Sequence, residues 1–305
     1  MRTNLSSQIS LNRVSTKYYK PENAVERSVL TRFEKVPTDI YETVDEGVYH
    51  IANEIAGRIR DRQREGKFFV IGAGTGTSLR PLYAELVRKH KDEGLSFRNV
   101  VVFNLYEYYP LTSESIGSSF AQLTELFVGQ VDIDKQNVFT IDGSIPQEAV
   151  FEYCRLYEQR ILTFGGLDIA LMGIGREGNI AMNVPGSNLN SVTRLILVDA
   201  TSRAEAAHNL GVDNLPPCSI TLGISTIMAA RKIYLLAWGD DKADIIQKAV
   251  EEKVSDAIPA SYLQTHSNAN VCIDLAAASH LTRIQRPWLV TNCEWNDKLI
   301  RSAIV

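Results

Sequence analysis

Short, largely apolar runs alternate with amphipathic stretches of helical period along this chain, and that alternation constrains the fold more than any other feature. Residues 67–71 (KFFVI), 99–103 (NVVVF), 167–172 (LDIALM) and 232–237 (KIYLLA) have too little polar surface to face water on either side. A strand buried on both faces needs helices above and below it, the arrangement of parallel sheets with crossover helices. Further strands are expected at residues 138–141, 195–198 and 270–273. Helices are expected at about 78–91, 119–128, 146–163 and 242–253, with a short one after Gly223. Thr38-Asp39-x-x-Glu42 reads as a capping signature opening a long helix, with Val44, Val48, Ile51, Ala52, Ile55 and Ile59 on one face and a stop at Gly66. The expectation is an α/β fold, a largely parallel twisted sheet with helices on both faces, formed by one domain over residues 38–284. Residues 1–37 are polar and read as an N-terminal extension, partly helical around residues 22–35; no internal repeat is visible.

Charge narrows the partners. Lys and Arg number 32 against 36 Asp and Glu, giving a net charge of −4 with no block of one sign, which argues against nucleic acid. The busiest basic stretch, residues 58–67, is interrupted by Asp61 and Glu65. Cys154, Cys218, Cys272 and Cys293 are far apart without a C-x-x-C pair, so free thiols in a reducing compartment are expected rather than zinc or a disulfide framework. Residues 1–20 contain no apolar core of a signal peptide, and no run reaches the roughly 18 apolar residues of a membrane span. A soluble, cytoplasmic protein without metal or cofactor is expected.

Two glycine loops follow buried-strand patterns. In Gly72-Ala-Gly74-Thr75-Gly76-Thr77-Ser78 the glycines admit close approach of an anion, the hydroxyls donate, and a helix begins directly afterwards. A phosphate cradle and a plain tight turn both fit, but Thr75, Thr77 and Ser78 are superfluous to a turn. No Lys-Ser/Thr follows at Walker A spacing, and Thr77 replaces the third glycine of G-x-G-x-x-G. The second loop, Gly173-Ile-Gly175-Arg176-Glu177-Gly178, does match G-x-G-x-x-G, with Asp199 near the acidic position. Pro185-Gly186 interrupts the helix that a dinucleotide site requires, so a pocket-lining loop is the better reading.

These segments resemble the glucosamine-6-phosphate deaminase/isomerase family, which is related to the 6-phosphogluconolactonases. Residues 71–78 resemble its phosphate loop, residues 102–108 (VFNLYEY) its F-N-x-D-E-Y strand end, and residues 172–185 its G-x-G-x-D-G-H-I-A-F-N-E-P loop. Residues 221–226 resemble T-x-G-x-G-T, residues 239–243 G-x-x-K-A, and residues 263–266 L-Q-x-H. The order of six segments, more than any one of them, carries the resemblance.

The family opens a sugar ring, moves a proton between C1 and C2 and, in deaminases, expels ammonia. The resemblance implies a sugar-phosphate ligand, held by Gly74, Thr75, Gly76, Thr77 and Ser78 with Lys242 as counter-charge. The family's phosphate-gripping arginine falls at His208, with Arg203 as a substitute. Tyr106 stands where the family has its base aspartate, Asn179 where it has the ring-opening histidine, Val184 where it has a glutamate, and Glu177 where it has an aspartate. A tyrosine titrates near pH 10 and an asparagine not at all, so neither replaces the group it displaces. Glu107 is the carboxylate left beside the lost base. Two readings stand open: an enzyme of changed chemistry using Glu107 or Glu177, and a non-catalytic sugar-phosphate-binding module. Tyr106, Tyr108 and Tyr109 fit a sugar pocket or a core equally, and Trp238 shares that ambiguity. His50, His90 and His280 have no partner at ligand spacing, and His266 either faces the pocket or supports a loop. Family likeness also implies a homo-oligomer. Residues 285–305 end on an apolar, helix-like segment, 298–305. The chain is therefore expected to be the front part of a longer protein, resembling two-domain proteins whose second half looks like an N-acetylglucosamine-type deacetylase.

Overall fold

A computed structural model describes residues 14–290. The apolar end at 298–305 and Cys293 lie outside the described residues. Strands β1 (Thr38–Tyr41), β2 (Phe69–Ala73), β3 (Val100–Asn104), β4 (Tyr106–Tyr109) and β5 (Val138–Phe139) occupy the first half of the chain, with β6 (Ile169–Gly173), β7 (Arg194–Leu197), β8 (Cys218–Thr221), β9 (Lys232–Ala237) and β10 (Ala269–Asp274) in the second. The helices are α1 (Ala24–Leu30), α2 (Val44–Arg64), α3 (Arg80–Glu93), α4 (Ser119–Leu126), α5 (Val150–Thr163), α6 (Ala200–Leu210), α7 (Ile224–Met228), α8 (Ala243–Glu251) and α9 (Thr282–Gln285).

Seven strands form one parallel sheet in the order β1-β10-β9-β6-β2-β3-β5. Alternation along β2 and β3 divides the core into two layers. Phe69, Ile71, Val100 and Val102 join Ile51, Ile55 and Ile59 of α2 and Leu82, Tyr83 and Leu86 of α3 on one face. Val70, Val101 and Phe103 join Cys154, Tyr157 and Ile161 of α5 and Ile246 and Val250 of α8 on the other. The α/β class expected from the apolar runs is therefore observed. Among the described residues no helix is long and apolar enough to cross a membrane.

Two local expectations are corrected. Thr38–Tyr41 is not the start of a helix but the edge strand β1, paired with β10 from Thr38↔Val271 to Tyr41↔Asp274. The helix is opened one step later by a second box: the Thr43 hydroxyl accepts from the Glu46 N–H at 3.1 Å, and the Glu46 carboxylate accepts from the Glu42 N–H at 2.9 Å. The strand near residue 195 does not join the parallel sheet. It forms β7 of a separate antiparallel sheet, β4-β8-β7, whose other two strands are four residues each. Tyr108, Met182, Val198, Ala207 and Leu215 fill the space between this sheet and α6.

The N-terminal segment is packed onto the sheet, with Tyr19, Leu30 and Val36 buried. Glu34 and Arg283 form an ion pair at 2.8 Å with both side chains 2% exposed, fastening this segment to α9. Burial pushes the Glu34 carboxyl up to about 7, with the Arg283 guanidinium opposing. A carboxyl with a folded pKa above its unfolded value stabilises fully below about 4.5 and loses that contribution as pH rises to about 7. Denaturant titrations at pH 5 and 7 are expected to show the protein losing about 2 kcal/mol over this interval, and Glu34→Gln losing much less. Equal slopes for both proteins would remove Glu34 as the source.

Candidate functional site

Strand order reverses between β2 and β6: the chain runs outward from β2 through β3 and β5, then returns to β6 on the other side. Loops leaving the carboxyl ends of two such neighbours part and leave a crevice, the usual ligand position in open α/β sheets. A cavity of about 150 Å³ lies there. Its wall includes Gly74, Thr75, Gly76, Thr77 and Ser78 after β2, Gly173, Ile174, Gly175, Asn179, Ala181 and Met182 after β6, Tyr106 and Tyr108 of β4, Ser202 and Ala206 of α6, and Lys242.

The first loop is held from several sides. The Gly74 N–H donates to the Leu171 carbonyl at 3.0 Å, the Tyr83 hydroxyl donates to the Gly74 carbonyl at 2.6 Å, and Trp238 Nε1 donates to the Ser78 carbonyl at 2.8 Å. Trp238 is thus a loop anchor. A Cβ added at Gly76 would meet no atom within 4 Å, so packing does not require glycine there and its small size keeps the space open. A single 3-10 turn, Thr77–Leu79, passes the chain into α3, whose 14 residues end their N–H dipoles at this crevice. Lys242 closes the other side from the turn before α8, buried at 8% exposure and 3.3 Å from Asp241. A side recess shares Thr75, Gly76 and Thr77 and brings in Arg80 and Gln122.

Tyr106 occupies the cavity wall with its hydroxyl 2.9 Å from Thr75 Oγ1, which lies 2.9 Å from Ser119 Oγ. Burial raises the Tyr106 hydroxyl above its ordinary pKa, and the Thr75 hydrogen bond opposes the shift only in part. Tyr106 is therefore a neutral hydrogen-bonding group at physiological pH, not a base.

Glu107 lies one residue on, with no exposed surface, and strand alternation points it away from the cavity. Its carboxylate accepts from the N–H groups of Tyr108 (2.9 Å), Ser119 (2.8 Å) and Phe120 (3.0 Å) and from the Ser118 hydroxyl (2.7 Å). Both oxygens are committed to the start of α4, where orphan N–H groups need acceptors. Burial pushes its carboxyl up, and these four bonds pull it back. Glu107 is absent from the cavity wall.

The second loop holds Asn179 on the wall, 5% exposed, its Nδ2 donating to Ser202 Oγ at 3.1 Å. A Cβ on Gly175 would fall 2.2 Å from Asn179 Oδ1, so this glycine is required by the asparagine beside it rather than by a dinucleotide. Ala181 takes a left-handed conformation, φ 50°, a cost of about 1 kcal/mol or more that loops at ligand sites commonly carry. Asn183 fastens the loop through Nδ2 to the Leu222 carbonyl at 2.8 Å and accepts from Arg194 at 3.0 Å.

The remaining candidates lie elsewhere. Glu177 is exposed in the turn and is not on the wall. Arg203 and His208 are on α6, half-buried and exposed, and neither lines the cavity; the face of α6 turned to it carries Ser202 and Ala206, one helical turn apart. The Asp199-x-x-Ser202 cap, where Asp199 accepts from the Ser202 N–H at 2.7 Å, was a sequence signal that could have set this register. His266 supports a loop, its ring nitrogens bonding the Ala230 carbonyl (2.8 Å) and the Asn268 N–H (3.0 Å). Tyr109 turns away to the Ile145 carbonyl at 3.0 Å. Among the described residues the cavity wall carries no carboxylate and no histidine, and its charged group is Lys242.

The family described as glucosamine-6-phosphate isomerases/6-phosphogluconolactonase matches residues 42–272. A glucosamine-6-phosphate deaminase-like protein of Bacteroides thetaiotaomicron is 64% identical over the whole chain, which spans 46% of that relative's length. Glucosamine-6-phosphate deaminase 1 of Bacillus subtilis is 36% identical over 76% of this chain and 96% of its own. The structure of a monomeric glucosamine-6-phosphate deaminase superposes with a TM-score of 0.76 at 32% identity, covering 80% of this chain and 99% of the other.

Proposed function

The chain belongs to the glucosamine-6-phosphate isomerase/6-phosphogluconolactonase family, and from that premise we propose that it binds a sugar phosphate in the β2–β6 crevice without carrying out the family's proton transfers. The phosphate is received by Gly74, Thr75, Gly76, Thr77 and Ser78 with Lys242 as counter-charge. Arg80 adds a guanidinium from the side recess. The observation that carries the non-catalytic part is the wall itself. Isomerisation at C1 and C2 needs a titrating group within hydrogen-bond reach of each proton moved, and the wall offers Tyr106 and Asn179 at the positions that matter. Glu107, the nearest carboxylate in sequence, has both oxygens engaged in capping α4. The site is then a sensor or a holding site for an amino-sugar phosphate or a related hexose phosphate.

Thermal melting tests the binding. A hexose 6-phosphate at about 100 times its Kd is expected to stabilise the protein by about 2.7 kcal/mol, with the unphosphorylated hexose giving no shift. No shift with any of a panel of sugar phosphates would remove this reading.

A further inference from the structure

A row of hydroxyl groups leads from Tyr106 into the protein, and its inner end fixes the direction of every bond in it. Asn104 is buried at the end of β3, and its Nδ2 donates to the Tyr106 carbonyl at 2.9 Å. That bond places Oδ1, an acceptor with no hydrogen to give, toward Ser119. Ser119 Oγ, also buried and 3.3 Å away, therefore donates to it. A hydroxyl carries one hydrogen. Having spent its own, Ser119 accepts from Thr75 Oγ1 at 2.9 Å, and Thr75 in turn accepts from the Tyr106 hydroxyl at 2.9 Å.

This direction sets the polarity of the wall. Tyr106 is the half-buried member of the row and lines both the cavity and the side recess, as does Thr75. With its one hydrogen directed inward to Thr75, the Tyr106 oxygen has only a lone pair to offer a ligand. Thr75 Oγ1 has likewise no hydrogen left for a phosphate oxygen, and its hydroxyl serves to orient Tyr106. We infer that Tyr106 is a specificity-determining acceptor, to which the bound sugar phosphate brings a hydrogen-bond donor: a hydroxyl, an amine or an amide N–H. A ligand with no hydrogen at that point leaves the oxygen unpaired, or sets one lone pair against another, at a cost the matching ligand does not bear. This inference rests on the proposed sugar-phosphate reading of the cradle.

Calorimetric titration with a hexose 6-phosphate and its analogues, each with one ring hydroxyl replaced by hydrogen or by fluorine, tests it. Fluorine can accept but cannot donate, so the two replacements tell an accepting wall from a donating one. At one ring position both analogues are expected to bind about tenfold more weakly than the parent sugar. In Tyr106→Phe that position is expected to lose its effect, parent and analogues binding alike. Ser119→Ala keeps the N–H that Glu107 holds and frees the Thr75 hydrogen, and with it the Tyr106 hydroxyl, to turn. There the fluoro analogue is expected to recover while the deoxy analogue does not, and this arm stands if Tyr106→Phe fails to fold. A fluoro analogue that matches the parent sugar on the unsubstituted protein at the position Tyr106→Phe affects overturns the assigned polarity. Analogue losses unchanged in Tyr106→Phe overturn the role of Tyr106, and no fluoro recovery in Ser119→Ala overturns the row as its cause. Both results leave the cradle standing, whereas failure of the parent sugar itself to bind overturns cradle and inference together.

Discussion

Lys242→Ala is expected to weaken sugar-phosphate binding by about two orders of magnitude, or roughly 2.7 kcal/mol. A buried lysine on a phosphate makes charge-assisted hydrogen bonds about twice as strong as neutral ones, and the wall holds no second cation to replace it. Arg80 lies in the recess, beyond the shared residues Thr75 and Thr77. Its substitution should therefore have a smaller effect and a steeper dependence on salt, because Arg80 is exposed. Titration of the two variants with one ligand gives the comparison. If Lys242→Ala binds as tightly as the parent, the phosphate does not sit where the cradle places it.

Glu107→Ala is expected to cost about 3–5 kcal/mol of stability, for a reason unrelated to chemistry at the cavity. Its carboxylate is the shared acceptor for the Ser119 and Phe120 N–H groups and the Ser118 hydroxyl at the start of α4, and for the Tyr108 N–H on β4. Removing it leaves those donors without partners and opens a void. For a chain of this size that corresponds to a melting temperature lower by roughly 5–8 °C. Glu107→Gln keeps the shape and one carbonyl acceptor, so it should fall between the two. A stable Glu107→Ala protein, within about 1 kcal/mol of the parent, would contradict the capping role. The cavity is expected to feel the loss indirectly: Ser119, whose N–H Glu107 holds, positions Thr75 at 2.9 Å and through it Tyr106.

Much of this architecture was legible in the sequence because continuous apolar strands have one solution. The runs around Val70, Val101, Ala170 and Leu235 all became central strands, buried on both faces. The antiparallel sheet was not legible. β4 carries Glu107 and three tyrosines, and β8 carries Ser219 and Thr221, so neither has the apolar signature of a strand although both are largely buried. Their polar groups are satisfied inside the fold, as where Ser219 Oγ donates to the Glu107 carbonyl at 2.7 Å. Thr38 was misread because two capping patterns overlap, and only the tertiary pairing of β1 with β10 decides between them. At the site, the glycine loop, Lys242, Tyr106 and Asn179 converge as residues of one wall. The role of Glu107 was beyond sequence reasoning: a carboxylate beside an active-site position and a carboxylate capping a helix eleven or more residues later look the same in one dimension. Arg203 and His208 are on α6 but do not line the cavity, and along a helix a shift of one residue is a rotation of about 100°.

Ammonia release from glucosamine 6-phosphate is the most direct measurement, made on purified protein at ligand concentrations that saturate its melting shift. A family enzyme working at even a typical rate of roughly 10 per second would release on the order of tens of thousands of ammonia molecules per protein within an hour. A site walled by Tyr106 and Asn179, with Glu107 occupied elsewhere, is expected to release less than one while the ligand still stabilises the fold. Sustained release over many turnovers, lost in a Tyr106→Phe or Asn179→Ala protein that still melts normally, would contradict the non-catalytic reading and make these two residues the catalysts.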